Sequence, residues 1–407
     1  MKNDNTYSLI IIGAGITGLS TGITWAKNND CSEKPVLILE KNPIVGGMVT
    51  SFRRDGFLFD TSQLIPDSSD ILEYLGVEIE LKKFQNYYAR IFLVDPKTKK
   101  ATKINIPSSL DVFQNYLTEL YPDQKKQIKK FVKYSSEMFL ELYDLKVEMK
   151  PLDFVKALIK CPKVVFNARK TFAEYLQKFK FTNPELLSVF DVFAAFSGLP
   201  AERSVALMTV AAMNSTLRGA YRPANGFIKF SIEMSKRFKE LGGEIKTKTE
   251  VKKILITAGK AIGVKLTNGE IIEADNIVTT IDTKVAMKQL VGLDELQKID
   301  KAYADKVEEV KMSASAITIS LGLDDNIDLK SLGLDCGYNV ITTGKGIFEK
   351  LFKEFDKGEV LLDENNFHTA VICPSLTTGG KPVIIIRCDP SGKAWVNGFR
   401  VGRQDQA

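Results

Sequence analysis

One histidine, His368, is all the sequence contains, and that scarcity removes Ser-His-Asp, Cys-His and multi-histidine metal chemistry from the possible activities. Cysteine is nearly as sparse. Cys31, Cys161, Cys336, Cys373 and Cys388 are odd in number, scattered and without a CxxC pair, so neither a disulfide framework nor a zinc site is expected and a reducing cytoplasm is the simplest setting. No apolar run approaches the length that spans a bilayer. Residues 1–8 are polar and lead into a short strand, so no signal peptide is expected. A strong charge of one sign is also missing. The 56 Lys+Arg against 50 Asp+Glu leave +6, far from a nucleic-acid-binding profile but compatible with an anionic cofactor or an anionic lipid surface.

What is present points first to organisation. A chain of 407 residues is too long for one compact core, and two domains are expected. Leu9-Ile10-Ile11-Ile12 is a short unbroken apolar run, the pattern of a parallel strand buried on both faces. Gly13-Ala14-Gly15-Ile16-Thr17-Gly18 follows. Then comes an amphipathic helix with Ile16, Leu19, Ile23 and Ala26 on one face, stopped by Asn28, Asn29 and Asp30. Val36 to Leu39 forms a second buried strand, ending at Glu40. Phe52 to Asp60 reads as a hairpin turned at Asp55-Gly56, and Asp70 to Leu75 as a short helix closed by Gly76. From about Lys83 two strands (87–94, 101–106) give way to a helical stretch from Ser109 to about Phe196. The first domain is expected to resume near Tyr221, with a helix over 227–241, a β-meander over 251–274, and a returning strand over 276–280. A helix at 294–310 and strands at 315–321, 340–342, 369–373 and 383–388 complete the pattern.

The glycines after the first strand form a GxGxxG in full context: buried strand before, helix after, a second strand, and an acid at its end about twenty residues on. Each part has a reason. Gly13 permits the tight turn, Gly15 lets backbone approach a pyrophosphate, and Gly18 lets the helix pack closely on the strand. The helix start offers free N–H groups to phosphates. Glu40 can accept hydrogen bonds from ribose hydroxyls, which disfavours a 2′-phosphate. Gly46-Gly47, soon after that acid, suggests a second close approach of backbone to a cofactor.

The stretch LEKNPIVGGMVTSFRRDGFLFD resembles the extended FAD signature of the phytoene desaturase, retinol saturase and amine oxidase superfamily. YRPANGFIKFSIEMSKRFKELGGEIKTKTEVKKI and EADNIVTTID resemble that superfamily's second FAD segment. The resemblance implies an α/β fold, a Rossmann-like FAD-binding domain with an inserted α+β substrate domain. It divides the chain into residues 1–84 and 215–300 for FAD, and 85–214 and 301–407 for substrate. By position, Gly13, Ala14, Gly15, Ile16, Thr17 and Gly18 would hold the pyrophosphate, and Glu40 and Lys41 would lie at the adenosine ribose. Gly46, Gly47, Met48 and Val49 would pass near the ribityl chain and ring, and the Val251 backbone would meet the adenine. Met48 stands where relatives commonly carry arginine, and the chain stops at Ala407 before a glycine-containing segment that relatives return to the flavin. One wall of the ring site is therefore expected to be missing.

The activity implied is hydride exchange between flavin and C–C bonds of a lipophilic carotenoid-, isoprenoid- or retinoid-like substrate, as in a desaturase or saturase. An amine-oxidase-like flavoenzyme, a redox-neutral polyene isomerase and a truncated, non-catalytic flavin-binding protein are the alternatives. No catalytic residue is assigned. Tyr221, Arg222 and Asn225 are either ring-facing residues or plain connector. Phe190, Phe193 and Phe196 are core or substrate wall. Residues 152–166 mix bulky apolar side chains with lysines, as an ordinary surface helix or a peripheral membrane contact. Lys125, Lys126, Lys129, Lys130 and Lys133 form a basic helical face, read as solvated surface.

Overall fold

The computed structural model describes residues 6–32, 34–145, 151–310, 316–344, 346–357 and 365–388. The C-terminal stretch 398–407 on which the sequence argument about a missing wall rested lies outside them. The chain forms two compact units, one of residues 1–62, 68–81 and 223–312, the other of residues 63–67, 82–222 and 313–407.

The first unit is built on a four-stranded parallel sheet in the order Glu244–Lys246, Val36–Leu39, Leu9–Ile12, Ile277–Thr279. Its two central strands, LIII and VLIL, are buried throughout, as their β-branched, charge-free composition requires of strands covered on both faces. Alternation sends successive side chains to opposite layers. Ile38 meets Gly22 of the Ile16–Asn28 helix, which packs on the Ile228–Glu240 helix where only a hydrogen at position 22 leaves room for the Phe238 ring. Ile10, Ile12, Leu37 and Leu39 face the other way. They share a core with Val251, Ile254, Val264, Leu266 and Ile272 of an antiparallel meander (Val251–Thr257, Lys260–Leu266, Ile271–Ala274), to which Thr6–Tyr7 adds a parallel edge.

Ala304 and Val307 of the Lys301–Glu309 helix are buried in the same core, so this unit extends past the 300/301 division drawn from sequence. The single helix expected over 294–310 is two, Leu293–Ile299 and Lys301–Glu309. They are separated at Asp300, whose extended backbone lets its side chain cap the second by accepting the Tyr303 N–H.

The Asp55-Gly56 hairpin forms with both turn residues at positive φ, +52° and +80°, the geometry such a two-residue turn demands. Its strands supply the distant Ile228–Glu240 helix with a start. Asp60 Oδ1 accepts the Phe227 N–H at 2.9 Å and Ser51 Oγ the Ile228 N–H at 3.0 Å.

In the second unit a six-stranded sheet runs Ile317–Gly322, Val383–Cys388, His368–Ile372, Tyr338–Thr342, Tyr87–Val94, Ala101–Pro107. All its pairs are antiparallel except Tyr338–Thr342 with Tyr87–Val94. The helical stretch expected over 109–196 resolves into several helices whose aromatic faces meet. Phe131 lies within 4.5–6.1 Å, ring to ring, of Phe190, Phe179, Phe181 and Tyr175, and Phe113 sits edge-on to Phe193 at 5.8 Å. Each such pair adds about 1 kcal/mol beyond area burial. Phe190 and Phe193 are therefore core, and half-buried Phe196 packs on Tyr338 and Phe193.

Candidate functional site

The parallel sheet of the first unit ends at a cleft of about 740 Å³, at the carboxyl ends of its strands where Ile12, Leu39 and Thr280 open onto it. Gly13 turns the chain there at φ +106°, and a Cβ on it would crowd Ile281 and the Thr280 hydroxyl. Gly18 lies under this turn, where a Cβ would overlap the Gly13 carbonyl oxygen. Gly15 differs from both. Its φ of −72° is ordinary, nothing lies within 4 Å of where its Cβ would be, and it lines the cleft. It is also the N-cap of the Ile16–Asn28 helix and offers no side-chain cap. The amides of the first turn therefore have no intrahelical carbonyl to meet, and the helix dipole puts positive potential at the same spot. Ile16 and Thr17 line the cleft beside it. Ala14, with its side chain fully buried, and Gly18 stand behind the lining.

Gly46 and Gly47 come up against this corner. The Gly46 N–H donates to the Ala14 carbonyl at 2.8 Å, and a Cβ on Gly47 would stand 3.2 Å from the Gly15 Cα. Both glycines have positive φ, +121° and +58°, and the turn closes through the Val49 N–H to the Gly46 carbonyl. Met48 and Val49 continue the lining, with the Met48 side chain 87% exposed. Met48 offers its carbonyl to the Thr61 hydroxyl at 2.8 Å.

Glu40 is buried and does more than the sequence suggested. Its Oε2 accepts the Ala14 N–H at 2.9 Å. Its Oε1 accepts both the Asn42 N–H at 2.8 Å and the Asn42 side-chain amide at 2.9 Å. Of the roughly four acceptor positions of a carboxylate, three are taken by the protein, and Glu40 itself lines the cleft. Lys41 lines the cleft nearby, and Val251 lines it from the meander. A register shift follows Val251 in its pairing, so the ladder is interrupted there.

Several lining residues were not singled out from sequence. Thr280 locks the glycine turn. Its hydroxyl lies 3.0 Å from the Gly13 carbonyl and 3.1 Å from that of Ile12, while its own N–H donates to Ile12. Asp282 starts a helix by accepting the Val285 N–H at 3.0 Å, and that helix, Val285–Gly292, is wound as a π-helix. The wider winding brings Val285, Gln289 and Leu290 to the cleft together, a form of helix concentrated at functional sites. No periodicity in VAMKQLVG announces it.

The crossing residues have other engagements. Arg222 is fully buried and donates to the Gln63 carbonyl. The Tyr221 hydroxyl donates to Asp67 at 3.4 Å, where burial and then that carboxylate push its pKa up. Neither lines the cleft, nor does exposed Asn225. Among the described residues no cluster of His, Cys, Asp and Glu is arranged to hold a metal ion, and no helix is long and apolar enough to cross a membrane.

Comparison with known proteins agrees with this architecture. The family described as flavin containing amine oxidoreductase matches residues 16–356. The chain is 26% identical to a 4,4'-diapolycopene oxygenase of Methylomonas sp over 80% of its own length, and spans 64% of that protein's. With a 4,4'-diapophytoene desaturase (4,4'-diapolycopene-forming) of the same source it shares 24% identity over 94% of this chain and 73% of the relative. Among solved structures, an oxidoreductase from Methanosarcina mazei superposes with a TM-score of 0.60 at 18% identity, covering 98% of this chain and 83% of that one, a likeness of fold.

Proposed function

From the premise that the chain belongs to the flavin containing amine oxidoreductase family, we propose that it is an FAD-dependent oxidoreductase acting on C–C bonds of a lipophilic polyene, of carotenoid, isoprenoid or retinoid type. The observation that carries the cofactor assignment is the open side of Gly15: an uncapped helix start, free of neighbouring side chains, facing a cleft of about 740 Å³. That is the fit a diphosphate requires. In this reading the first-turn amides at Ile16, Thr17 and Gly18 receive the pyrophosphate, with Gly13 and Ala14 forming the bend. Glu40 offers its remaining lone pair to a ribose hydroxyl, and Lys41 adds positive charge beside it. Gly46, Gly47, Met48 and Val49 run along the ribityl chain toward the ring, and the interrupted ladder at Val251 frees backbone groups for the adenine.

Bound flavin supplies hydride exchange at carbon; the protein supplies orientation and exclusion of water. The two relatives, a 4,4'-diapolycopene oxygenase and a 4,4'-diapophytoene desaturase, support a polyene substrate. We also propose that the first unit carries the cofactor and the second the apolar substrate, and that the protein works in the cytoplasm against a membrane surface, where such substrates dissolve.

The test is spectroscopic. The purified protein should show flavin absorption that bleaches with dithionite under argon and returns on addition of a conjugated polyene acceptor in detergent. A protein that stays colourless after incubation with FAD would remove the cofactor assignment. A reduced flavin that no polyene reoxidises, and whose oxidised form bleaches on addition of a primary amine, would move the substrate to the amine class.

A further inference from the structure

Two of the three donors on the buried Glu40 carboxylate come from one residue, Asn42, and both go to the same oxygen. Oε1 accepts the Asn42 N–H at 2.8 Å and the Asn42 side-chain amide at 2.9 Å, while Oε2 accepts the Ala14 N–H at 2.9 Å. A carboxylate oxygen offers about two acceptor positions. Oε1 is therefore filled from within the protein, and the position still open belongs to Oε2.

The main chain around this clamp is held by other bonds. The Glu40 N–H donates to the Lys246 carbonyl at 2.9 Å. The Thr249 N–H donates to the Glu40 carbonyl at 2.9 Å, and the Lys248 N–H to the Asn42 carbonyl at 3.0 Å. Lys248 itself turns through the left-handed region at φ +53°, and Thr249 lines the cleft together with Glu40 and Asn42. Of all these donors only the Asn42 amide is a side chain, and Asn42 is exposed, so it can be exchanged without unpicking the loop. Nor does burial of the acid require it. A buried carboxylate needs hydrogen bonds, and the main-chain N–H groups of Asn42 and Ala14 already give each oxygen one. What the side-chain amide adds is asymmetry between the two oxygens.

From that asymmetry we infer that Asn42 is a positioning residue. It closes Oε1 and so makes Glu40 a reader of one ribose hydroxyl, received at Oε2, where an unclamped carboxylate would take the neighbouring 2′ and 3′ hydroxyls together. The inference rests on the dinucleotide reading of the cleft and adds to it how many hydroxyls are sensed. Asn42 acts through Glu40 rather than on the nucleotide.

Calorimetric titration of the full chain, freed of flavin, with ADP, 2′-deoxy-ADP and 3′-deoxy-ADP tests this. In the parent one deoxy analogue should bind as well as ADP and the other about tenfold more weakly, the loss of one hydrogen bond to a charged acceptor. In Asn42→Ala the Oε1 atom regains an acceptor position, so both analogues should bind more weakly than ADP and to a similar extent. A general loosening of the loop would weaken all three nucleotides together and keep the parental ratio between the analogues, and that outcome overturns the inference. So does a parent that loses affinity equally with both analogues, or with neither, whatever the variant does. A parent that binds neither ADP nor FAD removes the dinucleotide reading itself, a failure told apart by the loss of every nucleotide at once.

Discussion

Gly15 and Gly18 differ by three positions and should fail in opposite ways when substituted. A side chain at Gly15 has room within the protein and would enter only the cleft. Gly15→Val should therefore leave the melting temperature of the flavin-free protein nearly unchanged and weaken FAD binding by two orders of magnitude or more, read by flavin fluorescence. Gly18→Ala puts its Cβ into the Gly13 carbonyl and should cost about 2–3 kcal/mol of stability in urea titration, whether or not flavin is present. Unchanged flavin affinity in Gly15→Val would contradict the site.

Thr280→Val, equal in size, should cost about 1 kcal/mol and loosen FAD roughly tenfold, because only the hydroxyl held against the Ile12 and Gly13 carbonyls is lost. A Thr280→Ser variant should restore both. Glu40 marks where residue-level reading ran short. The spacing of the acid from the glycines could be counted, but the clamp on Ala14 and Asn42 exists only once the two loops have come together.

The elements show the same division. The parallel strands and the glycine-to-helix corner were legible because a buried two-faced strand and a GxGxxG each leave one pattern. The winding of Val285–Gly292 was not, since its hydrogen-bond register depends on what it packs against, here the Val251–Thr257 strand. Its start depends on the Asp282 carboxylate at the Val285 N–H, and Asp282→Ala should cost about 1 kcal/mol and weaken FAD more than it weakens the fold. Likewise the mixture of apolar residues and lysines over 152–166 was visible in the sequence. Which side faced the core was not, because both faces of the helix contain aliphatic carbon and only the neighbours decide.

At the scale of the whole molecule, buried phenols link folding to alkaline pH. Burial, and then Glu244, push Tyr7 to about 12. Burial likewise raises Tyr88, Tyr121 and Tyr175 well above the usual range. In the unfolded chain these groups ionise near 10. The native state keeps its protons longer, so this contribution is complete below about pH 10 and is lost as the pH rises toward 12 and beyond. Urea midpoints should be flat from pH 8 to about 9.5 and fall steeply above; a midpoint that holds to pH 11.5 would contradict it.

The tie between Gly46 and Ala14 carries a further consequence. Because one backbone bond and the Glu40 clamp join the corner to the following turn, ordering the corner also orders the turn. ADP, which lacks any isoalloxazine, should thus slow amide deuterium uptake across Gly46–Val49, preparing the ring's seat before the ring arrives.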